Sequence, residues 1–402
     1  MKSWILSVGD EVLSGKTINT NFSTISSYLQ RIGIDVIKGV TIGDDQQDII
    51  EAVHEFMNSN ADVMITTGGL GPTHDDFTKE MISEALGIEL VYNEQASNDM
   101  YNYFKVRKTD CNLKQTFYPK DCIIITNPIG SADGFIIEKD NKIIISLVGV
   151  PFEMEAMLKE TVLSYLESKG KKKLYKQYII MGDTESSIEN RLLPFIDEHP
   201  YVSICPYCAP GKIRYQLVSD IEYEDFFNKT VNDFETFMGN LIVSEKDEEI
   251  EEIVVEVLKN RKFKISFAES CTGGLLASTI INVNGASDVI SESYVTYSND
   301  VKNKILNVSF DTIDKYDVVS EEVVKEMALG LYDLTKSEVC ISVSGYAGPG
   351  DNMGKVCYAI KVNNYLKTYT GSFRGNRNLI RLRAVRRILY DLHIIFKEKM
   401  YE

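Results

Sequence analysis

The sequence predicts an α/β protein: two three-layer α/β domains with mostly parallel sheets, joined by a small α+β linking domain. Three observations carry this. Short runs rich in β-branched residues alternate with amphipathic runs of helical period over residues 1–170 and again over 244–402, the pattern of strand–helix–strand units around a parallel sheet. Glycine clusters stand at 68–71 and 273–274, where strands hand over to helices. A polar, basic stretch at 168–173 closes the first pattern, so the boundaries fall at 1–170, 171–243 and 244–402.

Taken in order, residues 4–8 form the first strand. Residues 21–32 carry apolar side chains at helical spacing and stop at Gly33, as helices commonly do. Residues 35–42 and 62–67 are strands, 46–58 a helix, and 77–86 a helix with Gly87 at its stop. The run 143–152 is the richest in apolar residues and short enough to be a buried strand. In the linking segment, 175–181, 201–205 and 212–218 are strands and 185–195 and 223–238 helices. Ser244, followed by Glu-Lys-Asp-Glu-Glu, predicts a helix N-cap with an acidic first turn, the helix running to 260. Residues 263–268, 339–344 and 356–362 are strands, 273–281 a helix, and 377–396 a long closing helix. The last domain is long enough to hold its own core.

The 402 residues, 44% hydrophobic and 25% charged, exclude long disorder and fibrous classes. At roughly 100–200 residues per domain, the length fits two to four domains. No apolar run reaches membrane-spanning length. The first apolar stretch turns polar at Gly9-Asp10-Glu11, too early for a signal-peptide core, so a cytoplasmic protein is expected. Net charge is 43 − 59 = −16, which argues against nucleic acid as a partner. The seven cysteines are scattered, against a disulfide framework. Cys205 and Cys208 have metal or redox spacing but lack a second pair, and Cys111 and Cys122 are too far apart to supply one.

Residues 66–76 read Thr-Thr-Gly-Gly-Leu-Gly-Pro-Thr-His-Asp-Asp between a strand and a helix. Gly68, Gly69 and Gly71 let the backbone approach a ligand, so that amides face phosphate oxygens. The run is neither a Walker A loop nor a dinucleotide fingerprint. Asp75 and Asp76 suit a hard divalent cation such as Mg. A tight turn with aspartates capping a helix reads the same residues equally well. Gly9-Asp10-Glu11 and Gly43-Asp44-Asp45 end the first two strands, and in an open parallel sheet ligands bind beyond the carboxyl ends of the strands. Three acidic loops on one rim point to metal-assisted work on a phosphate compound.

The second candidate is 268–274, Ala-Glu-Ser-Cys-Thr-Gly-Gly, again between strand and helix. Ser270 is placed as a nucleophile, with the following amides facing an oxyanion. His393 is the only histidine in this domain and sits on the closing helix, so a Ser–His pair lacks its base. Lys302 with a lowered pKa is the alternative base. Cys271 is a rival nucleophile at a helix N-terminus, or a small buried core residue. The arginines between 374 and 387 read as a solvated helix face carrying one or two phosphate ligands.

The stretches Ser7 to Gly15, Asn19-Thr20-Asn21, Thr66 to Thr73, Asn127-Pro-Ile-Gly-Ser-Ala132 and Gly149-Val-Pro-Phe-Glu-Met154 closely resemble the competence/damage-inducible family CinA. Ala268 to Gly274, Tyr297 to Lys302, Ala347 to Gly350 and Phe373 to Arg377 resemble its C-terminal domain. Gly182 to Ser187 and Ala209 to Arg214 match its linking domain, so the resemblance runs through nearly the whole chain.

The first domain is thereby similar to molybdopterin-binding domains, and the resemblance implies a metal-dependent ADP-ribose pyrophosphatase. Gly68, Gly69, Gly71, Thr73 and Asn21 would bind the ligand, and Asp75, Asp76, Asp10 and Asp44 the metal, with Asp76 catalytic. The last domain is similar to nicotinamide-mononucleotide deamidases, which need no cofactor. The resemblance implies that Ser270 attacks the carboxamide with Lys302 and Tyr297 moving protons. Thr272, Gly273, Gly274 and Ser344 would line the pocket and Arg377 would grip phosphate. Ser344-Gly345-Tyr346 stands where the family usually has Thr-Gly-Ile. A homodimer is the expected assembly, since symmetric dimers are the default for such enzymes. A second reading is a nucleotide-sensing adaptor in DNA uptake, partnered by a recombination protein.

Overall fold

The computed structural model describes residues 1–104, 113–170, 173–246 and 248–402. Cys111, residues 171 and 172 of the basic stretch, and the aspartate at 247 after Ser244 lie outside the described residues. The chain divides into two compact units, residues 1–175 with 220–222, and residues 176–219 with 223–402.

The first unit opens with β1 (Lys2–Val8), the short helix α1 (Asp10–Leu13), α2 (Thr20–Arg31), β2 (Asp35–Ile42), α3 (Gln46–Met57), β3 (Val63–Thr67) and α4 (Thr78–Leu86). The helix starts are written in the sequence. The Asn19 side chain accepts the Phe22 N–H to begin α2, and the Asp45 carboxylate accepts the Gln47 and Asp48 N–H groups to begin α3. Gly87 takes the left-handed conformation that ends α4.

Next come β4 (Leu90–Tyr92), α5 (Glu94–Phe104), β5 (Phe117–Pro119), β6 (Ile123–Ile125), β7 (Gly134–Lys139) and β8 (Lys142–Leu147). The unit closes with α6 (Pro151–Met157), which runs on through a π-turn into α7 (Leu163–Lys169). Six strands form one sheet in the order β2-β1-β3-β8-β7-β6. The first four are parallel, and β7 and β6 add as antiparallel neighbours. The central strands are buried along their length, as the near-continuous apolar runs require. Helices supply the rest of the core, for example Ile25 and Leu29 from α2 and Val53 and Phe56 from α3.

β9 (Lys173–Ile180) leads into the second unit, followed by α8 (Glu185–Glu198), β10 (Ser203–Ala209), β11 (Lys212–Asp220), α9 (Glu224–Met238) and β12 (Ile242–Ser244). These strands make a separate four-stranded sheet ordered β10-β11-β9-β12. Cys205 and Cys208 lie on β10, opposite Gln216 and Ile213. Three positions apart on one strand, their side chains leave opposite faces of the sheet, so the pair does not form a metal knuckle.

Then follow α10 (Ile250–Arg261), β13 (Ile265–Glu269), α11 (Leu275–Ile281), β14 (Ile290–Val295), α12 (Asn299–Leu306), α13 (Phe310–Tyr316), α14 (Glu321–Thr335), β15 (Val339–Gly345), β16 (Lys355–Val362), β17 (Tyr365–Ser372) and α15 (Arg377–Lys397). The sheet is β14-β13-β15-β16-β17, with the first three strands parallel and the last two antiparallel. Two apolar clusters pack on it, one built with α10, α11 and α15 and one with α14.

Ser244 does not cap a helix. It ends β12, and pairing with β9 keeps it extended. The cap is Glu249, whose carboxylate and that of Glu252 form a reciprocal capping box. No helix among the described residues is long and apolar enough to cross a membrane.

One buried charge in the first unit has a measurable consequence. Asp133 is 3% exposed. Burial raises its carboxyl to about 7, with the Asp99 charge adding, while the Asn127 N–H at 2.8 Å pulls the other way. Between roughly pH 4 and 7 the folded chain therefore holds a proton that the unfolded chain has lost, so stability falls as pH rises through that window. About three pK units correspond to at most about 4 kcal/mol. Asp133→Asn keeps the acceptor for Asn127 and removes the charge. It should unfold at higher denaturant than the parent at pH 8, with the gain shrinking to nothing near pH 4. Urea titrations across that range check it.

Candidate active sites

In the first unit the ends of β1, β3 and β8 meet. Gly68 has φ +108°, and a Cβ there would collide with the Val8 carbonyl oxygen. Gly69 has φ +68°, and its Cβ would strike the Thr78 hydroxyl. Both positions need glycine for conformation and for space. A Cβ at Gly71 would meet the Asp76 carboxylate. That carboxylate closes the loop, because its Oδ2 accepts the Thr73 N–H at 2.9 Å and the Thr73 hydroxyl.

The acidic loops converge. The Asp10 N–H donates to Asp44 Oδ2 at 3.0 Å, and the Asp44 N–H donates back to Asp10 Oδ1 at 3.2 Å. Burial raises the Asp44 carboxyl, and the charges of Asp10, Glu11 and Asp75 push the same way. Asp75 is held below the usual carboxylate range by the Thr73 hydroxyl first, then by its own backbone, His74 and Lys114. The Thr73 hydroxyl can donate to one carboxylate at a time; Asp76 is the partner that the Thr73 N–H reinforces. Lys114, on a turn after α5, donates Nζ to the Asp76 carbonyl. An open groove of about 410 Å³ lies alongside, lined by Asp44, Gln47, Ile50, Phe77 and Met81 among others.

Asn21 is buried. Its Nδ2 donates to Thr67 Oγ1 and to the Gly149 carbonyl, both at 2.8 Å, tying three loops together. Among the described residues its Oδ1 and the Thr78 hydroxyl are buried without a partner, unmet acceptor and donor capacity beside the glycine loop. Among the described residues, no three Asp, Glu, His or Cys side chains gather into a cation cage. The donor set is nonetheless all oxygen, and Mg²⁺ is commonly held by one or two carboxylates together with substrate phosphates and water. The residues fit an ion that arrives with its substrate.

In the second unit Ser270 follows β13 and is 8% exposed. Lys302, on α12, is wholly buried. Its Nζ stands 3.2 Å from Ser270 Oγ, 2.9 Å from the Thr296 carbonyl and 3.2 Å from the Tyr297 carbonyl. Burial lowers its pKa to about 8. The two carbonyls accept only, so a neutral amine spends both N–H groups on them and turns its lone pair to the Ser270 hydroxyl. Cys271 is 6% exposed, and burial pushes its thiol up to about 11. It is the core residue of the two readings, since the thiolate is the reactive form. His393 is likewise held neutral, its pKa lowered to about 4 by burial.

Tyr297 contributes its carbonyl to Lys302, while its ring is exposed and its hydroxyl accepts from Arg377 Nη2 at 3.3 Å. Arg377 opens α15 at the rim of this site. Of the predicted lining residues, the Gly273 N–H turns back to the Ser270 carbonyl and the Gly274 N–H goes to Glu269. Thr272 is buried with its hydroxyl unpartnered. The Ser344 hydroxyl donates to the Val318 carbonyl at 2.8 Å, which anchors the loop and leaves it no proton for a ligand. The Tyr346 hydroxyl donates to Asp317. Sequence reasoning passed over Lys114, Glu269 and Arg381. Glu269 alone had a signal, a carboxylate directly before the candidate nucleophile.

The arginines of α15 divide by partner. Arg381 holds the Thr272 carbonyl, Arg383 the Arg374 carbonyl, Arg386 the Pro210 carbonyl and Arg387 both Asp391 and the Gly182 carbonyl. They clip backbone carbonyls and, at Arg387, the Asp391 carboxylate, so this face is less solvated than its charge suggests.

Two α/β sheets, each with a glycine turn at its strand ends, define a multidomain α/β protein with two candidate sites. Residues 4–168 match the family described as "Probable molybdopterin binding domain", and residues 247–395 the CinA C-terminal domain. The chain belongs to the CinA, or competence-damage inducible, family. It is 37% identical over 390 residues to a protein of Caldicellulosiruptor saccharolyticus, covering 94% of this chain and 95% of that one. It is 37% identical over 397 residues to one of Clostridium beijerinckii, covering 96% and 97%. Both bear the name "Putative competence-damage inducible protein". Among solved structures, CinA of Thermoplasma acidophilum, described as of unknown function, is 34% identical with a TM-score of 0.39, covering 41% of this chain and 97% of that one. The molybdopterin biosynthesis enzyme MoaB of Thermus thermophilus is 18% identical with a TM-score of 0.29, covering 42% and 96%.

Proposed function

We propose that the chain is a bifunctional pyridine-nucleotide hydrolase. The second unit deamidates nicotinamide mononucleotide, and the first hydrolyses the pyrophosphate of ADP-ribose. The observation that carries the reading is the buried Lys302 amine, 3.2 Å from Ser270 Oγ and without a carboxylate among its bonded partners.

In this reading neutral Lys302 takes the Ser270 proton as Oγ attacks the carboxamide carbon. The oxyanion faces the amides that follow Ser270. The C–N bond breaks, the leaving nitrogen takes the proton from Lys302, and ammonia departs. Water then attacks the acyl-serine, its proton passing through Lys302 to Ser270 Oγ, and the nicotinate carboxyl is released. Arg377 meets the phosphate at the rim, a task suited to a bidentate guanidinium.

In the first unit, one or two carboxylates of the acidic rim (Asp10, Asp44, Asp75, Asp76) would hold a hard divalent cation together with the substrate, and the ion would supply charge neutralisation on pyrophosphate oxygens. The glycine loop brings the backbone against the ligand. Asn21 Oδ1 and the Thr78 hydroxyl offer buried hydrogen-bonding capacity next to it.

The first test is ammonia release from nicotinamide mononucleotide, with Ser270→Ala as control. Serine-dependent release is expected. The adaptor reading gains from the commitment of Ser344 to Val318 and of Tyr346 to Asp317. Folded protein that binds the nucleotide and releases no ammonia would establish it for this half.

A further inference from the structure

Glu269 ends β13 directly before Ser270 and is wholly buried. Its Oε2 accepts the N–H groups of Gly274 and Leu276, each at 3.0 Å, and its Oε1 accepts that of Ala277 at 2.9 Å. These are donors that the first turn of a helix leaves without an intrahelical acceptor. On the same turn, Arg381 donates Nε and Nη2 to the Thr272 carbonyl at 3.2 and 2.5 Å. The segment from Ser270 to Gly274 is thus held through its donors by a carboxylate and through its acceptor by a guanidinium. Gly273 N–H returns to the Ser270 carbonyl at 3.1 Å. Among the described residues, no backbone carbonyl takes the N–H groups of Cys271 and Thr272; the Cys271 N–H meets only its own thiol, a weak acceptor.

Burying a carboxylate is costly unless its oxygens are well satisfied, and here they are spent on one turn. We propose that Glu269 is a positioning residue for the Ser270 reaction: with Arg381 on the Thr272 carbonyl, it fixes the turn so that the Cys271 and Thr272 N–H groups receive the oxyanion. The proposal rests on the amidase reading.

The test uses full-length Glu269→Gln, Glu269→Ala and Arg381→Lys. Two rates are read for each: ammonia release from nicotinamide mononucleotide, and labelling of Ser270 by a fluorophosphonate. In the latter, Oγ bonds to phosphorus, fluoride leaves and the hydroxyl proton passes to Lys302. Glutamine can keep the two bonds made to Oε2 and loses the third; alanine loses all three. Expected is a kcat per labelled serine about 10-fold lower for glutamine and about 100-fold lower or more for alanine, as for loss of oxyanion donors. Arg381→Lys, which cannot make two bonds to one carbonyl in the same way, should also lower kcat. KM should stay within about threefold, and the pH midpoint should not move, because Lys302 keeps its surroundings.

Wild-type kcat per labelled serine in the Glu269 variants would show that Glu269 only supports the fold and would overturn the proposal. So would a rise in KM alone, or a moved midpoint. If the parent labels at Ser270 yet frees no ammonia, the amidase reading fails, and the ratio of labelling rates still decides the positioning role. If the parent neither labels at Ser270 nor frees ammonia, both fall.

Discussion

Lys302→Met is expected to lower ammonia release by about 10³-fold or more, near the upper range for removing a general base. Methionine fills nearly the same buried volume, so the loss should come without unfolding. The pH profile supplies the mechanism. The base is the neutral amine, and burial disfavours the ammonium, placing the pKa at about 8. Activity should therefore rise with pH, reach half its plateau near 8, and stay high above it until another group intervenes. Lys302→Arg separates two roles. It keeps a positive charge beside Ser270 but cannot lose a proton under these conditions, so it should be as inactive as methionine. An arginine variant retaining a tenth or more of the activity would mean that the charge, and not the lone pair, is what Ser270 uses. Measurement of kcat/KM from pH 6 to 10 on the three proteins decides between them.

Much of this arrangement was legible in the chain, and the places where it was not share a cause. Strands flanked by glycine turns and capped helices show in local pattern, which is why β1, α2, β2, α3 and β3 sit within a residue or two of where the sequence puts them. The three-residue strands β4, β5 and β6 are too short to show a period; only pairing defines them. Ser244 has the chemistry of a cap and the position of a strand end, and pairing with β9 outweighs local propensity. The same division holds at the second site. The serine on its turn is a local feature. Lys302 was reachable because it lies in a recognisable run. Arg381, which meets Thr272 from 109 positions away, has no local signature. Ser344 shows the converse. Its residue type suits a ligand donor, but only the fold reveals that Val318 already has its proton.

At the first site, Asp76→Ala should reduce ADP-ribose hydrolysis by at least about 10²-fold while ammonia release stays at the parental rate. Two effects combine in that loss: the loop from Gly71 to Asp76 opens when Thr73 loses its acceptor, and a carboxylate leaves the rim. Asp76→Asn separates them. Its amide oxygen can still accept the Thr73 N–H, so the turn persists, but the charge is gone. Asp75→Asn is the matching probe, because Asp75 is exposed and the Thr73 N–H that closes the turn goes to Asp76 instead. If the acidic pair serves a cation, both asparagine variants should lose most of the hydrolysis with little change in melting temperature, and excess magnesium should recover part of it. EDTA should then abolish ADP-ribose hydrolysis in the parent and leave amidase turnover untouched, since Ser270 and Lys302 need no metal. If both asparagine variants keep full activity and only alanine at 76 loses it, the aspartates act as turn-formers, and the groups working on the ligand must be sought among Lys114, Asn21 and Thr78. That alternative places the hydrogen-bonding capacity left open at Asn21 Oδ1 and Thr78 Oγ1, rather than the acidic rim, at the centre of the chemistry.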